Sequence, residues 1–148
     1  KAYCHYHLTV EGILAQTGYY GLHRTFGPET ERMPTMAGLV EGLASIRSDE
    51  GRHVGFGMAK LKALVDDGLD PQLLHDTVTE LVPLVVETTT HMLPTDAELE
   101  ERGETLPGPS ADDLQAYAVE KHQQRMGQIT DAAAELPSVD SLVALESD

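Results

Sequence analysis

A single cysteine, Cys4, stands in the 148 residues, so the chain has no internal disulfide and no thiolate cluster for zinc. The compartment this implies is a reducing one, the cytoplasm. Basic residues are also scarce, with 10 Lys and Arg against 25 Asp and Glu and a formal charge of -15. That balance argues against nucleic acid as a partner, because phosphate binding relies on clustered Lys and Arg, and it disfavours anionic membranes for the same reason. Tryptophan is absent, and the acid is spread along the chain instead of gathered in one tail. This pattern suggests a halophilic protein, whose self-repulsion is screened in a salt-rich cytoplasm, with an ordinary acidic protein as the alternative. No run of about 18 apolar residues offers a membrane span, and no basic-then-apolar leader opens the chain. Lys1 falls in sequence already patterned as a helix, with no starting Met, so further residues are expected upstream.

What is present is a succession of helical patterns with room for one domain and one core. From Ala2 to about His23 no proline intervenes, and Leu8, Glu11, Ala15 and Gly18 share one side, with His7 and Leu14 beside them. Gly21 and Gly27-Pro28 are expected to break this helix, and a polar loop then runs to Pro34. A second helix is expected from Thr35 to Asp66, where Gly38, Gly42, Gly51, Gly55 and Gly57 suggest close helix approach. Asp70-Pro71 caps a third helix reaching Met92, kinked between Thr79 and Pro83, with Val78, Leu81, Val82, Val85 and Val86 as its packing face. Thr95 to Pro109 reads as a charged connector, and Ser110 with Asp113 as a capping box leading a helix through Met126. The end beyond Leu136-Pro137 is expected to be loose. The division is thus a helical core over 1–93, followed over 94–148 by connector, short helix and flexible tail.

The informative stretch is Ser48-Asp49-Glu50-Gly51-Arg52-His53. On a helix, Leu39, Leu43, Ile46, Glu50, His53, Val54, Gly57 and Leu61 fall on one face, so an apolar stripe carries a carboxylate and an imidazole at its centre. Burying both costs several kcal/mol unless something pairs with them, and a metal ion satisfies both. Di-metal carboxylate bundles take a Glu from each of two helices and a Glu-x-x-His from each of two others. Glu11 in the first helix and Glu50 with His53 in the second supply half of such a site.

The segments Tyr6-His7-Leu8-Thr9-Val10-Glu11-Gly12-Ile13-Leu14-Ala15-Gln16-Thr17-Gly18-Tyr19-Tyr20 and Ser48-Asp49-Glu50-Gly51-Arg52-His53-Val54-Gly55-Phe56-Gly57 resemble the second half of a ligand-binding oxidase related to the ribonucleotide reductase small subunit. The resemblance covers roughly Ala2 to Ala63; the later helices agree only in general character. It implies the C-terminal half of a ferritin-like, all-α helical bundle, with long antiparallel helices, a kinked third helix and a C-terminal helix. It further implies a manganese/iron or di-iron centre that activates dioxygen, often with a long-chain fatty acid bound. On the same ground Glu11, Glu50 and His53 are the metal ligands, Asp49 orients an imidazole, Tyr6 forms an ether cross-link to an upstream helix, and Tyr19 lies near the metals. Geometry alone does not give Tyr6 that place: five positions before Glu11 is about 140° around an ideal α-helix, and only a local π-bulge brings it nearer.

The loop between Glu11 and Glu50 is longer than the family pattern, which keeps Glu41 as a fallback ligand, and the upstream Glu and Glu-x-x-His are not in this sequence. Glu87 and His91 read as a solvated pair, and His5, His7, His23, His75 and His122 have no comparable partner. Cys4 reads as a small buried residue. The expectation is therefore a dioxygen-activating Mn/Fe or Fe/Fe oxidase, homodimeric and cytoplasmic, whose remaining ligands come from upstream residues or a second chain. Two rivals stand beside it. One is a ribonucleoside-diphosphate reductase small subunit, whose partner is the large reductase subunit, and the other is a non-catalytic half-bundle that acts by dimerising.

Overall fold

A computed structural model describes residues 1–131, and among these the regular structure is helical throughout, without strands. The expected loose end beyond Leu136-Pro137 lies outside the described residues. The chain opens with a π-helix, π1, over Cys4–Ala15, which continues without interruption as α1 over Gln16–Phe26. α2 spans Ala37–Asp66, α3 Pro71–Thr79, α4 Val82–Met92, α5 Asp96–Arg102 and α6 Ala111–Thr130.

The twelve residues of π1 exceed the single-turn bulge that is the usual form of this helix type. Its wider turn shows in the side chain of Thr9, whose Oγ1 donates to the carbonyl of Cys4, five residues back, at 3.2 Å. The Gly12 carbonyl accepts from the buried Arg125 guanidinium of α6. A Cβ at residue 12 would stand 3.2 Å from that guanidinium, so glycine lets the cation approach.

The π1–α1 rod runs antiparallel to α2: Gly57 packs on His7, and His53 faces Glu11. It is also antiparallel to α6, since Gly12 meets Arg125 and Gly21 meets Leu114. The core lies where these helices meet α3 and α4, formed by Cys4, Leu8, Ile13, Val54, Met58, Leu61, Leu74, Val78, Val85, Ala118, Met126 and Ile129. α6 packs against π1, α1, α2 and α4, so it shares one packed body with the helices before residue 93.

Several local expectations are corrected. Gly21 does not end the first helix, which reaches Phe26. There the glycine serves close approach, for its Cβ would stand 3.3 Å from Leu114 Cδ2. The third helix is interrupted, not merely kinked: Glu80 and Leu81 separate α3 from α4, and Pro83 sits in the first turn of α4, where its missing N–H breaks no ladder bond. Of its expected packing face, Val78 and Val85 are buried while Val82 and Val86 are exposed. The charged connector contains α5, closed at its start by a Thr95–Glu98 capping box and at its end by Gly103 in the left-handed conformation. The Ser110–Asp113 box begins α6 as expected.

Candidate metal centre

α2 is long enough, at 30 residues, to lie along the whole rod, and its buried stripe runs through Leu43, Arg47, Gly51, Val54, Met58 and Leu61. Ile46, expected on that stripe, is exposed. Glu50 and His53 flank the stripe on the side of π1. There His53 Nδ1 lies 3.2 Å from Glu11 Oε1 and 3.4 Å from Glu50 Oε2. One ligand atom from each of Glu11, Glu50 and His53 falls within 4.8 Å of the other two. The side chains grade from the interior outward, with Glu11 7% exposed, Glu50 21% and His53 57%. The cluster therefore has a buried floor and an open mouth.

Two carboxylates so close repel each other unless a proton or a cation stands between them. Oxygen and imidazole donors suit Mn, Fe and Zn ions, and a half-buried pocket of these donors is a fitting place for one. The donor set thus fits a metal, and three protein ligands leave further coordination positions for groups from elsewhere.

No family model matches the chain, and no solved structure matches it. Its chemistry has to be read from these side chains.

Tyr6 stands at the mouth, 56% exposed. The Glu11 carboxylate, by its charge and by a hydrogen bond to the phenol, raises the Tyr6 pKa, with smaller contributions from burial and Glu50. An ideal α-helix would carry Tyr6 away from Glu11; the π-helical turn returns it. Tyr19 is half-buried, and burial followed by the charges of Glu50 and Glu11 raises its phenol as well. Asp49 is turned to solvent and paired with Arg52, away from every imidazole of the cluster. Glu41 is exposed and lies more than two turns of α2 before Glu50.

Contrary to the expectation that it has no comparable partner, His7 is paired. Its Nδ1 lies 2.7 Å from Glu11 Oε2, a pairing signalled in the sequence by the four-residue spacing to Glu11. His91 Nδ1 lies 3.3 Å from the backbone carbonyl oxygen of Glu87. Cys4 is buried, and desolvation raises its thiol above the ordinary value, as befits a packing residue. Beside the rod, a mostly apolar cavity of about 350 Å³ is lined by Leu14, Gly18, Leu22, Phe26 and Met92. Gly18 belongs to this lining, whereas Gly38, in the exposed first turn of α2, does not.

Proposed function

We propose that the chain is the C-terminal half of a ferritin-like bundle in a dioxygen-activating di-metal oxidase related to the ribonucleotide reductase small subunit. The observation that carries this is the convergence of Glu11, Glu50 and His53 from two antiparallel helices onto one volume. In this role Glu11 and Glu50 bind through carboxylate oxygens and His53 through Nδ1, the imidazole nitrogen that faces both carboxylates. A Mn/Fe or Fe/Fe pair bound there supplies the redox chemistry that activates dioxygen. The remaining Glu and Glu-x-x-His come from upstream residues or from a second copy.

The chain's own side chains do the rest. The buried position of Glu11 limits water on the inner side of the centre, while the exposed face of His53 leaves an approach for small reactants. Tyr6 lies near enough to Glu11 for that carboxylate to raise its phenol pKa, which supports a role beside the centre. The apolar cavity near Gly18 and Leu22 suits the hydrocarbon part of a long-chain fatty acid. The exposed Val82 and Val86 of α4, one turn apart, and the exposed Val119 of α6 line one apolar face that favours a homodimer or coverage by upstream helices.

The test is dioxygen uptake by the anaerobically purified natural chain after loading with Fe²⁺ and Mn²⁺. Uptake stoichiometric with metal, and its loss in Glu50→Gln, is the expected result. Uptake no faster than that of free metal, or undiminished in Glu50→Gln, would refute the proposal.

A further inference from the structure

The hydrogen bond between His7 and Glu11 is unusually well supported by its surroundings. The His7 side chain is only 14% exposed and the Glu11 side chain 7%. The imidazole stacks on Tyr3 at 5.8 Å between centroids and 20° between planes. Phe56 meets it edge-on at 5.8 Å and 72°, and Tyr6 at 5.0 Å and 82°. Across the helix contact Gly57 closes the remaining side, since any Cβ there would overlap the Cβ of His7. Three aromatic rings and a glycine thus hold the ring in one place.

The consequence falls on Glu11. A carboxylate only accepts hydrogen bonds, so a neutral His7 must carry its proton on Nδ1 and donate it to Oε2. That oxygen is then committed, while Oε1 is left facing His53 at 3.2 Å. A Glu side chain has three rotatable bonds and loses freedom when it binds; one oxygen tied to a clamped donor removes much of that freedom beforehand.

We propose that His7 is a positioning residue that fixes the Glu11 carboxylate by its Nδ1–H, so that Oε1 alone is presented to a metal at the Glu11–Glu50–His53 cluster. This rests on the metal-binding reading given above. Such hydrogen-bond partners of ligands are commonly worth tenfold to a hundredfold in metal affinity.

Co²⁺, with its visible spectrum sensitive to ligand geometry, is the probe, titrated into the natural chain and two variants. His7→Phe keeps an aromatic ring and removes the donor; His7→Asn places an amide N–H near the former Nδ1. Expected are a roughly tenfold to hundredfold weaker Co²⁺ affinity with an altered visible spectrum in His7→Phe, and recovery of most of the affinity in His7→Asn. Binding as tight in His7→Phe as in the parent overturns the role of His7 and leaves the metal site standing. Equal loss in both variants overturns it too, since packing alone then accounts for the effect. A parent chain that takes up no Co²⁺ overturns both. The hydrogen bond is read separately, without metal, by imidazole ¹⁵N shifts at alkaline pH: an Nδ1-protonated His7 that loses this preference in Glu11→Ala is expected, and an Nε2-protonated His7 in the parent overturns the proposal.

Discussion

Gly57 of α2 lies against His7 of π1 so closely that no side-chain atom fits between them. Gly42, on the same helix, has nothing within 4 Å of where its Cβ would be. The same substitution at the two sites should therefore have opposite signs. Gly42→Ala removes chain entropy from the unfolded state and improves helix propensity, and should stabilise by roughly 0.5–1 kcal/mol. Gly57→Ala must push the helices apart and should destabilise by about 1–3 kcal/mol. Thermal denaturation of the two variants checks this; a stabilised Gly57→Ala would contradict the contact.

Arg125 should matter to the shape of π1. Its guanidinium donates to the carbonyl of Gly12 in the interior, and Arg125→Met leaves that acceptor without the donor. A buried polar group deprived of its partner costs about 1–3 kcal/mol. Urea denaturation should show a loss of this order, whereas a change within a few tenths of a kcal/mol would mean that the carbonyl finds another donor.

Ser110 caps α6 by accepting from the Asp113 backbone N–H at 3.2 Å, and Asp113 returns the bond to the Ser110 N–H at 3.0 Å. Ser110→Ala removes half of that exchange at a buried helix start. A destabilisation of about 1 kcal/mol is expected from the melting curve. No change in the melting temperature would contradict the cap's contribution.

His122 gives the fold a pH dependence. Burial, with His75 and Arg125 adding positive charge nearby, holds its imidazole below the ordinary value. The unfolded chain takes up the proton first as pH falls, so His122 favours unfolding progressively on the acid side. The stability concerned is fully present above the ordinary histidine pKa and is lost as pH falls through the lowered folded value. His122→Gln should flatten the decline in urea midpoint between about pH 7 and pH 5. An unchanged slope would remove His122 from the account.

The helices and the three clustered side chains were legible because both follow from helical spacing. Glu50 and His53 are three apart on α2, and Glu11 lies in an apolar stretch of the neighbouring helix. The pairing of His7 was less visible, because it depends on ring packing by Tyr3 and Phe56 from two helices. The place of Tyr6 depended on backbone geometry: a π-helix and an α-helix are written with the same residues, and spacing alone does not distinguish them. Ile46 was assigned to the buried stripe by its spacing from Leu43 and Glu50, yet the stripe that is buried turns through Arg47 and Gly51. α5 did carry a signal, Thr95 followed by Glu98 three places on, which the surrounding charge obscured.

The metal content of the purified natural chain, grown with iron and manganese and compared with Glu11→Gln and His53→Ala, tests the central claim most directly. At least about one equivalent in the parent, with tight binding lost in both variants, is the result predicted for a centre that uses these ligands. Less than about a tenth of an equivalent in the parent, or full retention of metal in His53→Ala, would contradict it.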